Sequence, residues 1–396
     1  MRLNVNVLLA TVASTCFFLS IPRCVADDNT PAQQRAPKEA ETPLYSLETL
    51  DAAERRELAK KHGGNDASEA AVASALKWIA SRQSSDGGWN FNHNESISEF
   101  DCPDPGTIDK ARNAATGLAL LSFLGASQTH KQGKYKEEVH SGLSYLIENL
   151  KVGDNRGSWH EPQGSMYGHG YAAMAMCDAF SRTRDMKLQE PAQLAVNFIV
   201  FAQDPVGGGW RYHPKQAGDT SVSSVQLLTL HHAHDAWLEV PKGTILGMTK
   251  FLDSAKGRES GSTYGYTGPG AGKCTTAMAL RCRTHLGWKR DHEGLREGVA
   301  FLEEHGPSPS DMYFNYYATQ LMFQYGGEPW KRWNAKLRDT LVESQSKEGV
   351  TAGSWFFKGG DHGSIRGGRL YCTALACLIL EVYYREGRAF DRLKPM

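Results

Sequence analysis

The sequence predicts an all-α fold, an α6/α6 toroid in which six helix hairpins form a double ring. The first sign is a Trp-bearing turn that recurs after helix-like segments. It runs from Gln83 to Gly87-Gly88-Trp89, from Gln203 to Gly208-Gly209-Trp210 and from Gln345 to Gly353-Ser354-Trp355, with a copy lacking the Gln that ends in Gly157-Ser158-Trp159. Trp residues at 89, 159, 210 and 355 fit a unit of roughly 50 residues with two unmarked copies between the last pair, six in all. The second sign is the alternation of an amphipathic helix with one that is apolar nearly all round. The third is the last inner segment, Tyr371 to Tyr384, as apolar as the central ones. An open solenoid ends in polar caps, so this segment favours closure.

Along the chain, Arg2 and the apolar run Val7 to Ile21, followed by Cys24-Val25-Ala26, read as a secretory signal over 1–26, cut after Ala26. The mature protein is expected to be periplasmic or secreted. The run is too short and too early for a membrane span, and no integral span is expected elsewhere. Residues 27–66 form a leader rich in Pro, Ala, Gln and charge, with a polar helix at about 47–62. The toroid domain takes 67–390. In its first unit Val72, Leu76 and Ile79 fall at i, i+4, i+7, the stripe of a half-exposed outer helix, whereas Gly117 to Leu124 is almost wholly apolar and belongs inside. Further outer helices are expected at about 136–150, 189–203, 242–255, 291–304 and 333–346, and inner ones begin near 167, 219, 273, 311 and 369. Strands of useful length are not expected. In the turns, Gln is expected to bond loose backbone groups at a helix end, while Trp covers the neighbouring unit's outer helix.

Lys plus Arg equals Asp plus Glu at 44 each, so no net field draws the protein to nucleic acid or an anionic membrane. The mature cysteines, Cys102, Cys177, Cys274, Cys282, Cys372 and Cys377, lack zinc-site spacing, and most sit in apolar helical runs as small core residues. Neither a metal nor another cofactor is expected. His231-His232-Ala233-His234-Asp235 has metal-compatible spacing, but a helix C-terminus accounts for the histidines. Gly268 to Lys273 departs from a phosphate-binding loop in length and in Cys274, and reads as a rim loop.

Parallel inner helices open all their N-termini at one mouth, where their dipoles add and favour anions. Arg112 precedes the first, His169 begins the second, Asp219 the third, Lys273 the fourth, Tyr316 lies near the fifth, and Arg366, Arg369 and Tyr371 mark the sixth. A cation at a helix N-terminus opposes the dipole, so Arg366 and Arg369 call for an anionic ligand or a pair with Asp361, Asp311 or Asp219. Asp219 reads as an N-cap or as an acid facing the cavity. The candidate set is therefore Asp219 and Tyr371 for catalysis, with Arg366, Arg369, Lys273, Tyr316, His169 and Arg112 for binding.

The Gln/Gly/Trp turns resemble the "QW" repeats of squalene and hopene cyclases, whose toroid is shared with protein prenyltransferase β subunits. The resemblance covers about 68–386. It implies a terpenoid cyclase- or prenyltransferase-like protein acting on or binding an isoprenoid or other apolar substrate with an anionic group. Of the hopene-type Asp-x-Asp-Asp-Thr-Ala acid run only Asp219 and Thr220 remain. Of the prenyltransferase zinc site, Asp219 remains, while Ser221 stands in place of the thiolate and Cys372 at a place like that of the His. A polysaccharide lyase or hydrolase on the same barrel is the first alternative, marked by aromatics and a carboxyl or His titrating near neutrality. A non-catalytic binding toroid is the second, marked by an occluded cavity and exposed apolar surface. Oligomeric state is left open.

Overall fold

The computed structural model describes residues 50–95 and 101–385; the expected signal, most of the leader and residues 386–390 lie outside the described residues. The chain divides after Leu44, and the unit Tyr45–Met396 holds every described element.

The polar helix α1 (Ala52–His62) starts in a capping box between Asp51 and Glu54 and ends at Gly63 in the left-handed region. Six hairpins follow. They are α2 (Asp66–Ala80) with α3 (Arg112–Gly125), α4 (Lys136–Glu148) with α5 (Ser165–Thr183), and α6 (Met186–Ala202) with α7 (Thr220–Asp235). Then come α8 (Lys242–Ala255) with α9 (Lys273–His285), α10 (Glu293–His305) with α11 (Met312–Tyr325), and α12 (Gly327–Ser344) with α13 (Ser364–Leu380), before the short α14 (Val382–Arg385). A small antiparallel hairpin, β1 (Lys151–Gly153) and β2 (Arg156–Ser158), sits in the α4–α5 connection.

Even-numbered helices α2 to α12 form the outer ring and bury one stripe each; in α10 it is Leu295, Val299 and Leu302 at i, i+4, i+7. Odd-numbered helices α3 to α13 are inner, and every residue of α3 from Asn113 to Gly125 is buried. Each inner helix packs on the next, α13 returns to α3, and α12 returns to α2, so both rings close. One boundary differs from expectation: α12 starts at Gly327, because Gly326 and Gly327 (φ +68° and +69°) turn the chain straight out of α11 without a linker.

The recurring turn is a buried joint. Gln83 Nε2 donates to Gly87 O (2.7 Å) and to Glu138 O on the next outer helix (2.8 Å). Gln203 does the same to Gly208 O (2.7 Å) and Thr244 O (2.9 Å), and Gln345 to Gly353 O (2.9 Å) and Ala71 O (2.8 Å). The last of these bonds ties the final unit to the first. Gly87, Gly208 and Gly353 have φ of +87°, +81° and +90°, and a Cβ on any of them would strike the backbone of the next outer helix at Ser141, Gly247 or Ser74. Each Trp indole donates back to its own outer helix: Trp89 to Ile79 O, Trp159 to Leu146 O, Trp210 to Ile199 O and Trp355 to Leu341 O. The backbone N–H of Trp89, Trp210 and Trp355 is taken by a hydroxyl on the inner helix, from Thr116, Ser223 and Thr373. The two unmarked copies keep this device, with Tyr264 N–H on Thr276 Oγ1 and Ser308 N–H on Asn315 Oδ1.

Replacing Gln345 by Leu leaves the Gly353 carbonyl without its donor in the closing joint and removes the added bond to the Ala71 carbonyl inside α2. We expect it to cost about 1–3 kcal/mol, read as a lowered urea midpoint at unchanged slope.

Candidate functional site at the inner-helix mouth

The chain itself answers the dipoles at the mouth. Glu161 Oε2 accepts the Asn113 N–H at the start of α3 (2.9 Å), and Asp219 Oδ1 accepts Val222 N–H on α7 (2.8 Å). Asp311 Oδ1 accepts Phe314 N–H on α11 (2.9 Å), and Asp361 Oδ1 accepts Gly363 and Ser364 N–H before α13 (2.7 Å each). Four of six inner helices thus begin on an internal carboxylate, which takes the donors and the field that would otherwise attract a foreign anion. Burial raises the carboxyls of Asp219 and Asp361, and it brings Glu161 up to about 7.

The sequence-predicted residues separate into committed and available groups. Arg369 is buried: it pairs with Asp104 Oδ2 (2.5 Å), donates to Pro103 O (3.2 Å) and reaches Ser354 Oγ (3.1 Å). Asp361, Asp311 and Asp219 are therefore not its partners, and Arg369 fastens the 103–108 segment instead. That segment also bonds through Thr107 N–H to Ile365 O and Ile108 N–H to Arg366 O, wedging into α13 at Gly368 (φ +60°), where a Cβ would strike Gly106 and Pro105. Arg112 forks onto Asp86 in the first Trp turn, with two bonds of 2.7 Å. His169 has no exposure: Nδ1 accepts the Trp159 N–H (3.2 Å) and Nε2 faces Ala195 O (3.2 Å), so it stands in for the hydroxyl of the other turns and belongs to the scaffold. Lys273 remains at the mouth, 3.4 Å from Asp311 and over the Phe314 ring. The Arg366 side chain is exposed and bonded to none of the described residues.

Tyr316 and Tyr371 do not line an open space. They are buried in a cluster that crosses the ring. Helices α5 and α11 are opposite one another in the inner ring, yet Tyr171 OH lies 3.4 Å from Tyr317 OH, and Tyr167 OH lies 3.5 Å from Tyr313 OH. These two rungs, one helical turn apart, span the full interior. Tyr313 and Tyr316 pack edge-on against Tyr317, and burial pushes the phenols of Tyr167, Tyr171, Tyr313, Tyr317 and Tyr371 above their ordinary range.

Beside the outer rung is a half-open rim that the sequence reading did not assemble. Asp219 has no exposure, and its Oδ2 has no donor in hydrogen-bond geometry among the described residues; Arg211 Nε is 3.8 Å away. The Arg211 guanidinium lies over the rings of Tyr212 and Tyr266, at 5.6 and 5.7 Å. The two phenol oxygens are 2.7 Å apart, and each residue is 38% exposed. His160 and His213 extend this surface, with ring centroids 5.5 Å apart. The available signal was adjacency, since Arg211 and Tyr212 directly follow Trp210 in a repeat turn.

Comparison with known proteins agrees with this architecture. Residues 57–184 match the family described as the squalene-hopene cyclase C-terminal domain. No curated protein sequence matches the chain. Among similar solved structures is the type II terpene cyclase MstE from Scytonema, 11% identical, with a TM-score of 0.56 over 82% of this chain and 98% of that one. Another is an inactive variant of the α-1,6-mannanase of Salegentibacter, in which two neighbouring Asp residues are replaced, in complex with α-1,6-mannotriose: 10% identity, TM-score 0.56, 81% and 99%. An α-amylase from Clostridium perfringens follows at 14% identity and TM-score 0.54, covering 79% and 97%. The chain is thus built on the terpenoid cyclase-like αα-toroid, a fold that also carries glycan-active proteins.

Two scaffold imidazoles set an acid limit. Burial holds His169 at about 3 and His93 at about 4, below the ordinary 6.5. The unfolded chain takes up protons that the folded rings refuse, so the contribution of these two rings is full above pH 6.5 and falls as pH drops toward 4, by up to about 1.4 kcal/mol per pH unit for each ring, while the raised carboxyl of Glu161 acts in the opposite direction. Over about pH 7.5 to 4.5 the urea midpoint of the wild type should fall more steeply, or rise less, than that of His169→Gln.

Proposed function

We propose that this protein is an extracytoplasmic glycan-binding toroid, whose ligand sits at the mouth on the rim of Arg211, Tyr212, Tyr266 and Tyr167 beside Asp219. The pair of tyrosine rungs carries this reading. With hydroxyls meeting across α5 and α11, a long apolar chain finds no interior to enter, whereas the surface above offers phenols, a guanidinium and carboxylates. Such groups recognise a ligand dense in hydroxyls by hydrogen bonding and by stacking on ring faces. The likeness to the mannanase and the amylase makes α-linked glycans the first ligands to test. Hydrolysis by neighbouring aspartates is not supported, because the one Asp-Asp pair in the sequence is Asp27-Asp28, ahead of the toroid. Binding is the function proposed, and Asp219 and Tyr371 carry no catalytic step in it.

A second reading rests on the match of residues 57–184 and on the exposed Arg366: an isoprenoid with an anionic head. It requires the rungs to part.

Calorimetry of the exported, mature protein against α-1,6-mannotriose, maltotriose and geranylgeranyl diphosphate separates the two. We expect a trisaccharide to bind and the diphosphate not to. Replacing Tyr212 and Tyr266 together by Ala should weaken the sugar about tenfold, or about 1.4 kcal/mol. Diphosphate binding that is lost on Arg366→Ala would reverse the order of the two readings. N-terminal sequencing of the same sample should begin at Asp27 if the export signal is cut as expected.

A further inference from the structure

The Asp219 carboxylate is half used. Its Oδ1 caps α7 through the Val222 N–H, while Oδ2, on a residue with no exposure, has no donor in hydrogen-bond geometry among the described residues. An ionisable oxygen left this way loses hydration without full return, unlike most buried polar atoms. The described charged or titratable groups facing it are Arg211, 3.8 Å away at Nε, and the phenols of Tyr266 and Tyr167.

Tyr266 lies beside this carboxylate under an unusual division of restraint. Its backbone is held, because Tyr266 O accepts both the N–H (2.8 Å) and the Oγ1 hydroxyl (3.0 Å) of Thr220, and Gly265 O accepts the same hydroxyl (2.7 Å). Its side chain is 38% exposed, and its hydroxyl lies 2.7 Å from that of Tyr212 while also reaching toward the Asp219 carboxyl. Rotation about the side-chain torsions alone can move the phenol while the loop stays fixed, and exposed rotamer changes are fast, on the ps–ns scale.

We infer that Tyr266 is a shutter over Asp219, and that the oxygen it covers is the acceptor for a hydroxyl of the bound ligand. The ligand class follows from the glycan reading above, on which this half of the inference rests; the shutter itself does not depend on it. When Tyr266 swings out, a ligand hydroxyl donates to Oδ2, and the displaced phenol offers its face to the sugar beside Tyr212. Arg211, held over both rings, favours the charged carboxylate against the effect of burial but is too far and too poorly aligned to satisfy it.

Two measurements on the full mature chain test this. The first is carbodiimide labelling of carboxyls with glycine ethyl ester, read by peptide mass spectrometry. Asp219 should react slowly in the wild type and at least about tenfold faster in Tyr266→Ala; equal rates would overturn the shutter. The second is calorimetry with α-1,6-mannotriose and maltotriose on Asp219→Asn. Asn caps a helix as well as Asp, so the fold should persist with an unchanged melting temperature while affinity falls tenfold or more. Wild-type affinity in Asp219→Asn would overturn the acceptor role and leave the glycan reading standing. Failure of both sugars to bind the wild type would overturn the glycan reading and the acceptor role with it, while the labelling rates still decide the shutter.

Discussion

The structure depends on satisfying backbone carbonyls where one hairpin hands over to the next. An outer helix ends, the chain turns inward, and the turn is pressed against the following outer helix where water has little access. An amide side chain solves this because its nitrogen carries two donors: one goes to the glycine carbonyl of its own turn, the other to the neighbouring helix. Carbonyls left unpaired at each joint would cost more than the bonds themselves contribute. The left-handed glycine follows from the same contact, since it abuts a backbone with no space for a Cβ. The Gln345 joint makes the array a ring, because Ala71 belongs to the first outer helix.

Closure has an electrostatic consequence. Parallel inner helices gather their N-termini at one mouth, and a foreign anion is the simple expectation there. The chain instead supplies Glu161, Asp219, Asp311 and Asp361. These carboxylates remove the positive potential and create a polar, phenol-rich mouth. Burial raises three of their pKa values, a cost tolerated because each accepts backbone N–H groups. Arg369, which sequence places at the same mouth, is drawn instead to Asp104 on a segment far away in sequence.

The interior follows a similar logic. A ring of six helices leaves an axial space that must be filled or hydrated. Here it is filled from opposite sides by tyrosines on α5 and α11, whose hydroxyls meet in the middle. The axial space is thereby occupied by the protein's own phenols, and the half-exposed polar surface lies at the rim around Arg211, Tyr212 and Tyr266.

Repeats, helix order and the double ring were legible from Gln, Gly and Trp spacing and from the contrast between striped and wholly apolar helices, because these are local patterns with fixed periods. Tyr264 and Thr276 could not be recognised as an unmarked copy of the Trp joint, since their relation is a hydrogen bond between turn and helix. His169 looked like a mouth residue by position, and only its two bonds inside the core show it to be part of the scaffold. Asp219 was readable as a cap, but not the approach of Tyr266, which comes from a loop that ring geometry carries to it. Sequence by itself determined the number, order and inward or outward role of the helices, since periodicity encodes which face is buried. Tertiary structure alone decided which charges pair and which phenols meet, because residues distant in sequence compete for the same donors and the same space, and only closure of the ring settles that competition.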